Sequence, residues 1–335
     1  MDKITLIDTT MRDGSHAISH TYTIAEVIAI AQGLDEAGVE YIEIAHGDGI
    51  GGSTINYGFS KTNELDLIEA VCKVVKKAKV TILLIPGVGT IEDVEEAIKR
   101  GIKAVRVATH CTEADISKQH IEYCLSKKLD TFGFLMMSHT VNKEKLLEQA
   151  LLMESYGAKA VYIADSAGYM ITSDVYDKVK LLKNNLKIPI GFHAHNNLSL
   201  AIANSISAMQ AGASYIDGSL KGLGAGSGNA QLEVLNCVME RYNFISNIKA
   251  YPLMDIASDI VEPIMKRPQI INTVSLMLGI TGVYSSFMLH ANEAAKKFDV
   301  DVREILVELG KRKMVGGQED KIIEVAYELK NNKNK

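Results

Sequence analysis

The chain has 335 residues and a net charge of −5, with 41 acidic and 36 basic side chains. This balance provides no positive field for a nucleic-acid backbone, so the composition argues against a nucleic-acid partner. Hydrophobic residues make up 47% of the chain, enough to fill a large core. Neither a signal segment nor an apolar run of about 18 residues is present, so we expect no membrane span and a cytoplasmic location.

The first two thirds of the chain alternate short β-branched runs with amphipathic stretches of helical period. Four stretches end in a glycine phrase (EAGVEY, KRGIKA, SYGAKA, QAGASY), where a helix must stop and the chain must turn. Eight strand–helix units predict an α/β fold, a TIM (β/α)8 barrel. The predicted strands are TLIDTT (5–10), YIEIAH (41–46), VTILLIP (80–86), AVRVATH (104–110), TFGFLMM (131–137), AVYIADS (160–166), PIGFHAH (189–195) and YIDGSL (215–220).

After about residue 243 the alternation stops, and the remaining segments have helical patterns without a strand-like run. We therefore predict a catalytic barrel over residues 1–250 and a C-terminal helical domain over residues 251–335. The polar ending KNNKNK (330–335) has no apolar residue to bury and is expected to fray.

The four cysteines are widely spaced and form no CxxC pair, which argues against a disulfide framework or a zinc knot. We expect reduced thiols at Cys72, Cys111, Cys124 and Cys237.

Residues with catalytic potential follow the first and seventh predicted strands. Arg12, Asp13 and His16 lie in the run TTMRDGSH, and His193 and His195 end the seventh strand. Active sites of such barrels form at the carboxyl ends of the strands. Because side chains alternate along a strand, both histidines point to the same side, and we expect them to meet Asp13 at the barrel mouth.

Two neutral imidazoles and one carboxylate, with positions left for water or substrate, form a site for a divalent metal that acts as a Lewis acid. A lone histidine at a strand end is more often a hydrogen-bonded loop residue than a ligand. The combination of His193, His195 and Asp13 favours the metal site over that alternative.

The neighbours of Asp13 each have a functional and a structural interpretation. An isolated arginine such as Arg12 usually forms a surface salt bridge, but beside a metal its guanidinium can neutralise an enolate oxygen or a carboxylate. His16 is either a cap of the following turn or, held near the metal without binding it, a general base.

The ends of two further predicted strands have residues that indicate a function less strongly. The loop GLGAGSGNA (222–230) is either an anion- or substrate-binding loop or a tight turn into the next helix. Asp165 and Ser166 end the sixth strand, and Asp165 is equally suited to cap a helix or to orient a histidine.

A Schiff-base aldolase would need a lysine at a strand end. Lys79 and Lys103 precede their strands and are expected at the opposite face of the barrel. Lys221 is better placed, but it has the pattern of a solvated loop lysine. A metal-dependent route is therefore favoured over an imine route.

Taken together, TTMRDGSH, the strand-ending HAHNN, the loop GLGAGSGN and the run GVYSSF (282–287) closely resemble the 4-hydroxy-2-oxovalerate aldolases. This family contains metal-dependent pyruvate aldolases of the HMG-CoA-lyase-like barrel superfamily, and the resemblance covers nearly the whole chain. HGDGIGGSTINYGF (46–59) also resembles the family. Met11 and Ser15 stand where the family usually has leucine and methionine.

The resemblance implies a role for each matching residue. Asp13, His193 and His195 would bind a divalent ion, commonly Mn²⁺, with Mg²⁺ or Co²⁺ as alternatives. Arg12 would stabilise the pyruvate enolate, and His16 would accept the proton of the 4-hydroxyl. Tyr284 would be a third catalytic residue that reaches the mouth and orients the 4-hydroxy substrate; without the resemblance, a half-buried tyrosine in a helix is the alternative. Substrate contacts are expected from Arg12, Ser166, His193 and Tyr284. Leu84 and Ile85 are expected either to line the pocket or to belong to the barrel core.

The implied reaction is retro-aldol cleavage of 4-hydroxy-2-oxopentanoate to pyruvate and acetaldehyde. Such aldolases pair with an acylating acetaldehyde dehydrogenase, and the helical end would make that contact or serve self-association in a homo- or hetero-oligomer. The main alternative is a Claisen-type acyl-CoA synthase or lyase, which His16 disfavours because those relatives have glutamine after RDG-x. A silent scaffold subunit is a third possibility, disfavoured by the complete ligand set.

Overall fold

In a computed structural model that describes residues 2–314 and 317–333, eight parallel strands close into a barrel. The strands pair in chain order, and the last pairs with the first through Tyr215 with Thr5 and Gly218 with Asp8. All eight predicted strands are confirmed. They are β1 (Thr5–Met11), β2 (Tyr41–Ile44), β3 (Lys79–Leu84), β4 (Ala104–His110), β5 (Asp130–Met136), β6 (Val161–Asp165), β7 (Ile190–Ala194) and β8 (Tyr215–Gly218).

A helix follows each barrel strand. The first begins at a capping box in which Thr23 and Glu26 satisfy each other's backbone N–H groups. Gly38 and Gly212 end their helices with φ of 95° and 112°, which confirms the helix stops predicted at those glycines. The helices are α1 (Ile24–Ala37), α2 (Glu64–Val74), α3 (Ile91–Arg100), α4 (Lys118–Ser126), α5 (Lys143–Ser155), α6 (Thr172–Asn185), α7 (Ala201–Ala211) and α8 (Leu232–Glu240).

The C-terminal part is helical, as predicted, apart from one short strand. Phe244–Ile245 pairs in parallel with Asp2–Lys3 and forms a two-stranded sheet outside the barrel. The prediction of no strand after about residue 243 is therefore wrong, because a two-residue strand is too short to leave a periodic pattern. The helices are α9 (Ala250–Asp255), a π-helical turn (Ile256–Val261), α10 (Glu262–Ile264), α11 (Thr273–Thr281), α12 (Phe287–Phe298), α13 (Val302–Lys311) and α14 (Asp320–Lys333).

The last helix runs through Lys333, so most of the predicted frayed ending is helical, and residues 334 and 335 lie outside the described residues. Among the described residues, no helix combines the length and apolar character that a membrane crossing requires. All four cysteines are free thiols.

Apolar side chains of the described residues form three cores. One fills the barrel interior and includes Phe132 and Tyr162, and the largest lies between the strands and the helices. Helix α9 and the π-helical turn pack into this outer core through Leu253 and Val261. The third core, from Leu278 to Ala326, belongs to α11–α14. The division into domains at residues 250 and 251 remains a prediction.

Candidate active site

Asp13, His193 and His195 meet at the carboxyl ends of β1 and β7, and all three are buried. His193 Nε2 lies 3.4 Å from Asp13 Oδ2, His195 Nε2 lies 3.6 Å from the same oxygen, and the two Nε2 atoms are 3.4 Å apart. Such spacings suit three ligands on one side of an ion with bonds of roughly 2.1 Å. The expected meeting of these side chains is observed, while their role as metal ligands remains a prediction.

The hydrogen bonds of the two rings fix which nitrogens face the centre. His193 Nδ1 lies 2.7 Å from Asp217 Oδ2, and His195 Nδ1 lies 3.4 Å from the Ala225 carbonyl oxygen. Both partners are acceptors, so each neutral ring carries its hydrogen on Nδ1 and directs an Nε2 lone pair at the other ring and at Asp13. Three converging acceptors repel one another unless a cation lies between them, so this donor set fits a divalent metal.

Neighbouring charges set the protonation of these groups. Burial raises the pKa of Asp13, but Arg12 and the two histidines outweigh it and bring that pKa well below its usual range. Burial lowers the pKa of His195 to about 4. Burial also lowers the pKa of His193, yet its hydrogen bonds with Asp13 and Asp217 raise the pKa overall. A divalent ion therefore competes with a proton at His193.

The glycine-rich loop, residues 222–230, positions Asp13. The backbone N–H of Ala225 donates to Asp13 Oδ1 at 3.0 Å. At Gly228, with φ of 88°, an added Cβ would lie 1.9 Å from the Gly222 carbonyl oxygen, so the loop is a tight turn that excludes a side chain there. The turn interpretation is confirmed, and the alternative of an anion contact remains a prediction.

A buried chain of charges lies beneath the ligand set. Arg12 donates from Nε to Glu43 at 2.7 Å and from Nη1 to Asp13 at 3.1 Å. Arg106 donates to Glu43 at 3.3 Å and to Asp217 at 2.6 Å, and its guanidinium packs on aromatic rings of the barrel interior. Arg12 is therefore a buried residue of the site and not a surface salt-bridge residue.

Glu43, Arg106 and Asp217 are functional candidates that the sequence analysis missed. Each is a single charge inside an otherwise apolar strand: YIEI, AVRVA and YIDG. A charge inside a buried strand is costly unless it is paired, so its presence is a signal of a buried network. Asp217 extends this network to His193 and orients that ring.

His16 lies beside the ligand set on the short 3₁₀ helix Asp13–Ile18. Its Nε2 is 3.8 Å from Asp48 Oδ2. A Cβ added at Gly47 would lie 2.5 Å from His16 Nε2, so the absence of a side chain at Gly47 makes room for the ring. His46 accepts from the Asp48 N–H at 3.1 Å and holds this loop. Asp48, Gly47 and His46 carry a structural role that the sequence analysis did not assign.

The C-terminal segment reaches the barrel mouth through the turn between α11 and α12. The backbone N–H of Ser285 donates to the Ser166 carbonyl oxygen at 3.3 Å, and Asn197 donates to the Ser285 hydroxyl at 2.8 Å. These bonds place Tyr284 at the mouth, near Asp13 and Asp48. Burial first, and these carboxylates second, raise the pKa of Tyr284, so its hydroxyl stays protonated.

The remaining candidates have clear positions. Asp165 accepts from the N–H groups of Tyr169 and Met170 at 2.9 Å each, in the turn before α6, so it caps a turn and not a helix. Its Oδ1 lies 3.9 Å from Nδ1 of His139, and the alternative role of orienting a histidine remains a prediction. The Ser166 hydroxyl accepts from the Met137 N–H at 3.0 Å. Lys221 pairs with Glu262 at 2.7 Å, which gives its ammonium a surface partner.

Of the two predicted pocket residues, one lines a cavity and the other lies in the core. Ile85 lines a cavity of about 270 Å³ at the mouth, together with Asp48 and Tyr284. Leu84 points the other way and lies in the outer core, so for this residue the core alternative is correct. The two residues are consecutive, and they face opposite sides because side chains alternate across a sheet. Lys79 binds Asp130 near the amino ends of the strands, as expected.

Comparisons with known proteins agree with this architecture. Residues 3–260 match the HMGL-like family, and residues 269–331 match the DmpG-like communication domain. The 4-hydroxy-2-oxovalerate aldolase of Geobacillus thermodenitrificans is 56% identical, with 98% of this chain and 96% of that protein covered. The enzyme of the same name from Carboxydothermus hydrogenoformans is 54% identical, over 98% and 97% of the two chains.

The fold also matches a solved structure, the carboxyl transferase domain of Rhizobium etli pyruvate carboxylase, with a TM-score of 0.82 at 15% identity over 98% of this chain and 60% of that one. At this identity the likeness shows the fold alone. The relatives' shared name favours an aldolase over the acyl-CoA-condensing alternative. The chain therefore belongs to the HMGL-like family and, within it, to the 4-hydroxy-2-oxovalerate aldolases that carry a DmpG-like communication domain.

Proposed function

We propose that this protein cleaves 4-hydroxy-2-oxopentanoate to pyruvate and acetaldehyde in a reaction that depends on a divalent metal. The proposal rests on one observation above all. Two imidazole nitrogens and one carboxylate converge within 3.4–3.6 Å of one another, beside a buried arginine and a histidine that is not part of the ligand set.

Asp13, His193 and His195 would hold the metal. Mixed oxygen and nitrogen ligands suit Mn²⁺ and Co²⁺ better than Mg²⁺, which prefers oxygen ligands, and we propose Mn²⁺ as the natural ion. The chemistry that such an ion supplies when bound is Lewis-acid polarisation of the substrate's 2-oxo group. Asp217 supports this set, because its hydrogen bond keeps the His193 Nε2 lone pair directed at the centre.

The chain's own residues handle the proton and the developing charge. His16 takes the proton of the 4-hydroxyl, the C4–O bond becomes a carbonyl, and the C3–C4 bond breaks with its electron pair going to the pyruvate enolate. Arg12 stabilises this enolate oxygen, since its Nη2 has no hydrogen bond to any described residue and remains free to donate. A proton from solvent then adds to C3 and completes pyruvate, and His16 returns its own proton to solvent.

Substrate positioning falls to three further groups. The protonated hydroxyl of Tyr284 donates to the substrate and orients its 4-hydroxyl end. Ser166, whose hydroxyl accepts from Met137, can still donate its own hydrogen to the substrate. The edge of His193 contacts the bound 2-oxoacid.

Removal and return of metal test the proposed reaction. Protein stripped with EDTA is expected to release no pyruvate from 4-hydroxy-2-oxopentanoate, and added Mn²⁺ is expected to restore release. A lactate dehydrogenase-coupled assay measures pyruvate, and a series of longer 4-hydroxy-2-oxoacids measures the aldehyde length accepted. Full activity of protein shown by mass spectrometry to contain no metal would reject the proposal.

Substitution of Gly47 tests the role of His16 without changing a reacting group. In Gly47→Ala the new methyl group would lie within 2.6 Å of three His16 ring atoms, so the ring must move. We expect kcat to fall by at least about tenfold, within the range for loss of a positioned general base, while Mn²⁺ affinity stays unchanged. Steady-state kinetics and metal titration measure the two effects separately.

Gly87→Ala is the matched control, because an added Cβ there meets no atom within 4 Å. Gly87 has a φ of 92°, which alanine adopts only with backbone strain. The melting temperatures of both variants are therefore measured, so that a loss of stability is not mistaken for a loss of activity. An unchanged kcat in Gly47→Ala would mean that the position of His16 does not matter to the reaction.

We also propose that residues 251–335 form the partner-contacting domain, with an acylating acetaldehyde dehydrogenase as the partner. The match to the communication domain supports this proposal. Exposed apolar side chains on α11, α12 and α14, such as Ile280, Leu289 and Tyr327, provide a surface for it. Self-association through the same surface is the alternative. The proposed setting is the cytoplasm.

A further inference from the structure

A second cavity, of about 300 Å³, lies beside His16 and the glycine-rich loop of the candidate active site. Its walls come from the glycine-rich loop, from the segment between α10 and α11, and from α12. His16 and Ala225 lie in its wall, so the cavity extends to the proposed base and to the residue whose N–H holds Asp13. The cavity therefore borders the proposed base and the loop that positions Asp13.

The two cavities have opposite charge. Among the described residues, the second cavity is lined by Lys266 and Arg267 and by no aspartate or glutamate. The cavity that contains Tyr284 is lined by Asp48, Glu113 and Glu319 and by no lysine or arginine. An anion that enters the site therefore meets attraction along the second cavity and repulsion along the first.

The charges of the second cavity are available to a ligand. Lys266 and Arg267 are exposed, and neither makes a hydrogen bond or an ion pair within the described part of the chain. The nearest acidic residue on α10, Glu262, is paired with Lys221. After burial, His16 and His46, the charge of Lys266 also lowers the pKa of His20, so its field reaches the loop that carries His16.

We propose that the second cavity is the entry route for the anionic 2-oxoacid, and that Lys266 and Arg267 attract its carboxylate group. This inference rests on the proposed function, because it presumes a carboxylate substrate that reacts at His16 and Arg12. Asn272 and Asn292 line the same cavity, and one amide hydrogen of Asn292 is already donated to the Met288 carbonyl oxygen. The neutral aldehyde has no charge for these residues to attract.

The test is charge reversal at both positions. In Lys266→Glu/Arg267→Glu, kcat/KM for 4-hydroxy-2-oxopentanoate is expected to fall by at least about tenfold at low ionic strength, with kcat little changed. The loss is expected to shrink to roughly twofold in 0.5 M NaCl, because salt screens exposed charges beyond a few ångströms. In the aldol direction, the KM for pyruvate should rise, whereas the KM for acetaldehyde should not.

Lys76→Glu/Lys77→Glu is the matched control, since it makes the same change in net charge just before β3, at the amino end of the barrel strands. It is expected to behave as the unchanged protein does. Lys266→Gln/Arg267→Gln should give an intermediate loss, and the acetaldehyde KM reports that each variant is correctly folded.

Three results would overturn the entry route: an equal loss of kcat/KM in the Lys266/Arg267 and Lys76/Lys77 variants, a loss that persists in high salt, or an unchanged KM for pyruvate. If the unaltered protein releases no pyruvate at all with Mn²⁺, the proposed function fails instead. The two failures are therefore distinguished by the activity of the unaltered protein.

Discussion

Alanine in place of His193 is expected to abolish both Mn²⁺ binding and pyruvate release. The substitution removes one of the three proposed ligands and leaves two, Asp13 and His195, whose ligand atoms are 3.6 Å apart. Loss of a hydrogen-bonding partner behind a ligand already costs 10–100-fold, so loss of the ligand itself should lower kcat/KM by more than about 100-fold. Isothermal titration with Mn²⁺ and the coupled pyruvate assay measure the two effects.

The substitution should not unfold the barrel. Asp217 keeps its bond to Arg106 at 2.6 Å, and Asp13 keeps its contact with Arg12 at 3.1 Å, so both carboxylates remain paired. We therefore expect far-ultraviolet circular dichroism like that of the unaltered protein. His120→Ala on α4 is the control, because His120 belongs to neither group of described residues that could hold a metal ion and is expected to change neither measurement.

If His193→Ala retained metal-dependent pyruvate release, the proposed ligand set would be wrong. Retained Mn²⁺ binding with lost activity would assign His193 to substrate contact alone. The same pair of measurements on His195→Ala then shows whether the two histidines act as equivalent ligands, as their nearly equal distances from Asp13 suggest.

The fold and the convergence of the three proposed ligands follow from local patterns in the sequence. The eight strands are predicted because each is a short β-branched run between helical stretches, and parallel strands bring their carboxyl ends to one rim. This geometry suffices to bring Asp13 and His193 together although they are 180 positions apart in the chain. The alternation of side chains also predicts correctly that His193 and His195 face the same way.

Other features depend on register and on close packing, which a single sequence does not reveal. Glu43, Arg106 and Asp217 pair only because three different strands place them at one level of the barrel interior. The assignment of Leu84 to the core and of Ile85 to the cavity depends on the same register. The need for glycine at Gly47 depends on where the His16 ring packs.

Methionine in place of Arg106 is expected to destabilise the protein more than any other single change considered. Arg106 is fully buried and its guanidinium contacts both Glu43 and Asp217, so its removal leaves two buried carboxylates with fewer positive partners. Breaking a buried ion pair in this way costs about 3–5 kcal/mol of the free energy of unfolding. Urea denaturation followed by circular dichroism measures the change.

Two further variants separate the effect of charge from that of volume. Arg106→Lys keeps the positive charge, but its ammonium lacks the planar fork that binds both carboxylates at once, so we expect an intermediate loss. Arg100→Met removes an arginine that pairs with Glu96 on the surface of α3. Its loss in the free energy of unfolding should be several-fold smaller than that of Arg106→Met. If Arg106→Met were as stable as Arg100→Met, the charge network beneath the proposed metal site would contribute little to folding. Its main role would then be to orient Asp217 and, through Asp217, the ring of His193.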